Sequence, residues 1–282
     1  MIKCYYHSAD LDGLACGAIF RKTFPEAQLI GIDYGESVDI QPGDTVYMAD
    51  ISLPIEEMCR LSLVAKRFVW VDHHGTAIRA FEASQHEHNI ESFLREGTAA
   101  CELLWEYLYP DIAPSDVIRL LGQYDIWNQE WPFNWEKVVL PFQWGMRLRV
   151  PSLDKFPERF LSERIEFGTI ENIISTGNDI IEYQANQDAR LMKGSFVVEF
   201  EGLRCLCVNA AGAGSLTFKS VYDPEKHDIM AAFFFDGEKW RVSLRSDKGE
   251  VNCGEIAKLY GGGGHPGAAG FASTICPFNR PN

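Results

Sequence analysis

No two of the eight cysteines stand at the CxxC spacing of a structural zinc or redox site. Cys4, Cys16, Cys59, Cys101, Cys205, Cys207, Cys253 and Cys276 are scattered, mostly inside apolar stretches, and read as reduced core thiols of a cytoplasmic protein. Cys205 and Cys207 alternate along an expected strand, which turns both toward a core. Long apolar runs are missing too: none approaches the roughly 20 residues of a membrane helix, and no basic-then-apolar leader opens the chain. A membrane partner is therefore not expected. Positive charge is scarce, with 26 Lys+Arg against 40 Asp+Glu and a net charge of −14. Residues 191–282 balance their charges, so the whole deficit lies in residues 1–190. Such a surface repels long polyanions and excludes a duplex-binding footprint. Small phosphorylated substrates, held by metal ions and a few local donors, remain open. There is no repeat and no low-complexity segment, and 282 residues suffice for two domains.

What is present is a set of short apolar runs that end in acids and histidines. The central one is RFVWVDHHG, Arg67 to Gly75. Phe68 to Val71 fits a strand covered on both faces, and Asp72, His73 and His74 fall where it stops. Ile2 to Tyr6 ends in HSADLDG, which carries His7, Asp10, Asp12 and Gly13; Thr45 to Ala49 ends at Asp50. Tyr124 to Trp127 adds Asp125 after the apolar stretch Val117 to Leu121. In open α/β sheets ligands bind at the carboxyl edge, so these polar residues fall where chemistry is expected. Three imidazoles and four carboxylates, leaving Asp72 aside, make a mixed N/O donor set without thiolate. That set suits Mn, Mg or Fe better than a structural zinc. Crowding so many acids without a cation is costly, because like charges raise one another's pKa.

Between these runs the pattern predicts a helix from about Leu14 to Phe24, a strand from Gln28 to Tyr34, and a helix beginning near Pro54. Ala77 to Leu94 reads as polar and exposed, His86 and His88 included. Gly97 to Ala99 opens a helix over Ala100 to Tyr109, with Thr98 as its expected cap. Trp127, Trp131, Trp135 and Trp144 follow, interleaved with Pro132, Phe133 and Phe142, as lid or core packing or as a platform for stacking bases. Residues 157–193 read as a helical connector. Strands alternating with helices argue for a parallel sheet in an N-terminal α/β domain, residues 1–156.

From Ser195 the pattern changes. Phe196 to Phe200 and Leu203 to Val208 are strands around Glu201-Gly202, and Ile229 to Phe235 pairs with Lys239 to Leu244 across Asp236-Gly237. Residues 194–282 thus form a smaller mixed-sheet α/β domain. Its end, GGGGHPGAAG, contains Gly262, Gly264 and Gly267 at a GxGxxG spacing. It follows a helix over Cys253 to Tyr260 instead of a strand, so a dinucleotide fingerprint is not expected. Consecutive glycines, Gly262 to Gly264, expose backbone N–H groups to an anion, and His265 adds a donor. Arg245 and Ser246 upstream add a forked cation and a hydroxyl. The bland alternative is a glycine-rich turn closing the domain.

HSADLDG, VYMADIS, VDHHG and YDIW, in this order, resemble the four motifs of the DHH phosphoesterase superfamily. It includes exonucleases, oligoribonucleases, cyclic-dinucleotide phosphodiesterases and the second family of inorganic pyrophosphatases. The stretch Gly261 to Gly270, with Arg245, resembles the glycine-histidine motif and phosphate-contacting arginine of the DHH-associated C-terminal substrate-binding domain. The pyrophosphatase branch carries a different C-terminal domain. The resemblance implies two divalent metal ions, Mn2+ first and Mg2+ next. His7, Asp10 and Asp50 would hold one, and Asp12, Asp50, His73 and Asp125 the other. It also implies that His74 faces the phosphate and that Asp72 orients a histidine. Arg245, Ser246, Gly262, Gly263, Gly264 and His265 would bind substrate. The expected activity is hydrolysis of short single-stranded oligonucleotides or linear dinucleotides to mononucleotides by metal-activated hydroxide. A phosphomonoesterase acting on nucleoside bisphosphates or other small nucleotide phosphates, or a non-catalytic nucleotide-binding protein, would share much of this pattern.

Overall fold

The computed structural model describes residues 1–162, 168–247 and 251–278. The chain divides into two compact units, Met1–Ile181 and Glu182–Asn282. Residues 248–250, inside the stretch that leads to the glycine motif, lie outside the described residues.

The first unit is built on β1 (Ile2–His7), α1 (Leu11–Thr23), β2 (Gln28–Ile32), β3 (Thr45–Ala49), α2 (Ile55–Val64), β4 (Arg67–Asp72), α3 (Gly75–Glu82) and β5 (Ile90–Leu94). Helices α4 (Ala100–Leu108), α5 (Asp116–Asp125) and α6 (Leu140–Arg149) follow, and α7 (Thr169–Leu191) runs across the division between the units. The five strands form an all-parallel sheet in the order β2-β1-β3-β4-β5. Strand alternation explains why the apolar runs are continuous. Cys4, Tyr47, Val69 and Val71 pack with α1, α4 and α5 on one face. Tyr5, Met48, Phe68 and Trp70 pack with Met58 and Leu61 of α2 on the other. Both faces are therefore dry, and each fully buried large side chain contributes on the order of 2–3 kcal/mol. In this strand order the direction of winding reverses between β1 and β3. Ligands in such sheets bind beyond the carboxyl ends of the two strands at that point.

Two elements differ from expectation. Helix α1 starts a turn early, at Leu11, because Asp10 accepts the Gly13 N–H (2.9 Å) as its N-cap. Ile90–Leu94, in a stretch read only as polar and exposed, is a strand; it lies at the sheet edge, where one face stays wet and apolar alternation is weak.

The second unit comprises β6 (Phe196–Phe200), β7 (Leu203–Asn209), α8 (Ser215–Phe218), β8 (Ile229–Phe235), β9 (Trp240–Arg245), α9 (Cys253–Leu259), β10 (Gly263–His265) and β11 (Ala268–Ser273). Its mixed sheet has the order β10-β11-β9-β8-β7-β6, with only β7 and β8 parallel. Glu201 (φ 52°) and Gly202 (φ 74°) both take left-handed backbone, as a two-residue turn between twisted strands requires. Cys205 and Cys207 lie buried on one face with Leu244 of β9 and Ala257 of α9. Among the described residues no cysteine is paired in a disulfide. No described helix is long and apolar enough to cross a membrane.

Candidate metal centre and active site

His7 closes β1, and the chain turns through Asp10 into α1. The Asp10 carboxylate divides its work: one oxygen caps Gly13 N–H, and the other lies 2.9 Å from His7 Nδ1. The opposite ring atom, Nε2, is 3.2 Å from Asp33 Oδ1; donating a proton from Nε2 to that carboxylate would leave the Nδ1 lone pair, facing Asp10 and Asp50, for a cation. Asp12, in the first turn of α1, is buried and takes the N–H groups of Ala100 and Cys101, both at 2.9 Å. The start of α4 is thus capped by an acid 88 residues away and not by Thr98, and Ala99, at the cap position, makes no side-chain bond. The α4 amides fix the Asp12 carboxylate in place.

Asp50 follows β3 with φ 59°, a left-handed conformation that few side chains adopt but Asp tolerates. Its N–H is held by Val71 O at 3.1 Å, and its carboxylate is buried. Oδ1 lies 3.4 Å from His73 Nε2, while Oδ2 lies 3.7 Å from His7 Nδ1. Asp125, the last residue of α5, places Oδ2 3.2 Å from His73 Nε2, and Asp12 Oδ2 is 3.9 Å from the same nitrogen. Two triads result, His7/Asp10/Asp50 and Asp12/His73/Asp125, with the donor atoms of each within 4.8 Å of one another. Asp50 faces both.

Asp72 is fully buried at the end of β4. Oδ1 accepts the backbone N–H groups of His73 (2.7 Å) and His74 (3.1 Å) and pairs with His74 Nδ1 at 2.7 Å. Oδ2 accepts the Trp70 indole N–H at 3.2 Å. With Nδ1 engaged, His74 is left to use Nε2, and its ring is partly open to solvent. Asp72 raises the His74 imidazole to about 9, so the cationic form prevails at neutral pH.

These side chains fit divalent cations. His7 Nδ1, Asp50 Oδ2 and His73 Nε2 are buried, and although acids and imidazoles crowd them, none makes a well-directed hydrogen bond. Leaving such atoms unpaired costs about 1–3 kcal/mol each. Burial, then Asp10 and Asp125, pushes the Asp50 carboxyl up to about 7. Burial and the neighbouring acids hold Asp12 and Asp125 above the ordinary carboxylate range. The carboxylates of Asp10 and then Asp50 push His7 up to about 11. Such a cluster of acids and imidazoles is stabilised by added positive charge, and N/O donors without thiolate match hard or borderline divalent ions.

Two residues near this centre escaped the sequence reading. Asp33 holds His7, and the Tyr34 ring stands edge-on to His7 (5.4 Å) and His74 (6.4 Å). Their signal was available: β2 stops at Ile32, so Asp33 is another acid at a strand end.

The residues expected to bind substrate form a separate group on the second unit. Arg245 pairs across the ladder with Ala268, and Ala268 with His265, so the arginine and histidine share one row and one face. Ser246 N–H bonds Gly267 O at 3.1 Å beside them. The glycines are used differently from an open nest. Gly262 N–H bonds Ala257 O at 2.9 Å, capping α9, and a Cβ at Gly262 would lie 2.1 Å from Gly270 O. Gly263 and Gly264 belong to β10, paired with Gly270 and Ala269. Arg245 also lines a recess of about 270 Å³ with Ser243, Arg241 and the Ala210 to Gly214 loop.

The DHHA1 domain model matches residues 218–275. Oligoribonuclease NrnB of Bacillus subtilis (strain 168) is 26% identical, covering 97% of this chain and 73% of its own length. An uncharacterised protein of Acanthamoeba polyphaga mimivirus is 24% identical over 87% of this chain, which spans only 58% of that relative. Among solved structures, the pGpG-specific phosphodiesterase PggH from Vibrio cholerae superposes with a TM-score of 0.54 at 13% identity, covering 98% of this chain and 94% of that one. The DHH domain of a protein assigned to a family of ribosomal proteins gives 0.52 at 14% identity, over 97% and 82% of the two chains. Four motifs in order, gathered at the carboxyl edge of the sheet, and a DHHA1 match in the second unit support the reading of this chain as a DHH phosphoesterase with a C-terminal DHHA1 domain.

Proposed function

We propose that the chain is a divalent-metal-dependent phosphodiesterase that releases mononucleotides from short oligonucleotides or linear dinucleotides. The convergence of six acids and imidazoles, three of them with buried atoms lacking well-directed hydrogen bonds, carries this reading. The activities for which NrnB and PggH are named, an oligoribonuclease and a pGpG phosphodiesterase, support the substrate class. His7, Asp10 and Asp50 would hold one ion, and Asp12, Asp50, His73 and Asp125 a second, with Mn2+ the first choice. Two bound ions would supply Lewis acidity and a nucleophile at neutral pH. The chain's own groups do the rest. His74, cationic through Asp72, presents Nε2–H to a phosphoryl oxygen, stabilises the charge that develops there and is placed to pass its proton to the leaving oxygen. Asp72 fixes that ring by taking three N–H groups on one oxygen, so its orientation requires no rearrangement during reaction. Arg245, Ser246 and His265 would bind a phosphate on the second unit, and the glycines Gly262, Gly263 and Gly264 would shape the hairpin that presents His265.

The test is mononucleotide release from defined two- to seven-residue RNA and DNA oligomers in Mn2+, with chelated protein and Asp50→Asn as controls. Metal-dependent release, fastest on the shortest oligomers and absent in Asp50→Asn, is expected. Failure to cleave any oligomer overturns the reading.

A further inference from the structure

Four arginines of the first unit are tied to carboxylates, Arg67 to Glu91, Arg79 to Glu96, Arg95 to Glu106 and Arg119 to Asp116, while Arg21 is held by the carbonyls of Leu153 and Phe156 and Arg149 by Asn172 and Thr176. Arg147, on the last turn of α6, has no carboxylate partner among the described residues, although this unit carries the chain's acidic excess. Aromatic rings hold it instead. Its guanidinium lies 5.5 Å from the centre of the Tyr124 ring and 5.6 Å from that of Trp144. Tyr124 is stacked on Trp135 at 5.5 Å with an interplanar angle of 6°, and Trp127 stands edge-on to Trp135 at 4.8 Å. The tryptophan-rich segment thereby forms a platform under a cation. Ring faces attract a guanidinium without neutralising it, so its N–H fork stays available to an anion.

That cation lines a recess of about 210 Å³ with Ala9, Asp10 and Leu11, the turn that delivers the acids of the first motif. About seven water volumes fit in such a space, which is room for a phosphate and part of its sugar. The Asp10 oxygens are committed to His7 and Gly13, and the Ser8 hydroxyl to Ile32 O. Arg147 is the charged donor of this recess. We propose that Arg147 forms a phosphate subsite beside the metal-ligand cluster, taking a substrate phosphate other than the one hydrolysed. This rests on the phosphodiesterase reading and deepens it: a terminal phosphate next to the scissile bond is recognised as well as the bond itself. Tyr124 and Trp144 are positioning residues that fix the guanidinium and pre-organise the subsite.

The experiment compares one dinucleotide in three forms, unphosphorylated, 5′-phosphorylated and 3′-phosphorylated, with the wild type, Arg147→Met and Arg147→Lys. Methionine keeps the apolar stem on the rings, and thermal melts report folding. One terminal phosphate should raise wild-type kcat/KM, chiefly through KM, and Arg147→Met should reduce that preference roughly ten- to hundredfold, the scale of one charge-assisted pair. Lysine should recover part of it, as charge without a fork. Equal loss on all three forms, or an undiminished preference in Arg147→Met, overturns the subsite. Calorimetric binding of the same ligands to wild type separates the two readings. Hydrolysis of none of them refutes the phosphodiesterase, whereas equal affinity for all three refutes the subsite.

Discussion

Two glycines on one helix test whether the centre depends on a backbone contact. Gly13 and Gly17 are both buried in α1, one turn apart. Alanine at either gains about 0.5–1 kcal/mol of helix propensity. Their surroundings differ. A Cβ at Gly17 meets the Tyr6 ring at 3.1 Å and Leu153 Cδ2 at 3.2 Å, side chains that can shift by a few tenths of an ångström. A Cβ at Gly13 lies 1.9 Å from His7 O and 2.7 Å from His7 Cβ, against backbone that cannot give way. To reach an ordinary 3.4 Å contact the start of α1 must retreat from β1 by more than an ångström, carrying Asp10 and Asp12 away from His7. Overpacking at the upper end of about 3 kcal/mol, less the propensity gain, leaves Gly13→Ala about 2 kcal/mol less stable than wild type. Gly17→Ala should stay within about 1 kcal/mol of wild type. A displacement of that size at reacting groups costs on the order of a hundredfold in rate. Urea unfolding followed by circular dichroism gives the first quantity, and dinucleotide hydrolysis in Mn2+ the second. Should Gly13→Ala match Gly17→Ala in both, the close approach of α1 to His7 does not build the site.

Asp50→Asn keeps the left-handed backbone that Asn tolerates but removes the charge facing both triads; Mn2+ affinity by calorimetry and hydrolysis should each fall at least about a hundredfold. Saturating Mn2+, at about 100 times its Kd, should stabilise the wild type against urea by about 2.7 kcal/mol, an increment abolished by chelator and by Asp50→Asn. Asp33→Ala should weaken metal binding by roughly tenfold or more by freeing His7 Nε2, with folding stability unchanged within about 1 kcal/mol. Far from the centre, the buried Asp44 carboxyl is held down to about 2 by the Gln41 N–H and the Lys3 ammonium, 3.0 Å away. Its folded pKa is depressed, so its stabilisation is complete above the unfolded value near 3.9 and fades as pH falls toward 2. Asp44→Asn should cost about 2 kcal/mol at pH 7 and flatten the loss of stability between about pH 4 and pH 2 in acid titrations.

The strand ends were legible because burial on both faces writes an unbroken apolar run, and an acid at its end stands out against it. His7, Asp50 and Asp72 are such positions. The strand order was not written there, yet it brings β1 and β3 side by side and so His7 toward Asp50. Contacts that skip along the chain were hidden for the same reason. The Asp12 bond to the α4 amides crosses 88 residues, and a local rule had a threonine in reach to do that work. The glycine motif shows the opposite limit. Its composition is compatible with an open anion nest and with a tight hairpin, and only the pairing with Gly270 and Ala269 distinguishes them. The tryptophan segment was ambiguous between packing and stacking because aromatics suit both. Its partner Arg147 lies 12 residues beyond Trp135, and once α6 folds back over Tyr124 the rings acquire a third use, holding a cation beside Asp10. An acidic unit that must receive phosphates needs positive charge not already cancelled by carboxylates. Bound metal would supply it inside the centre, and aromatic faces preserve it at the rim.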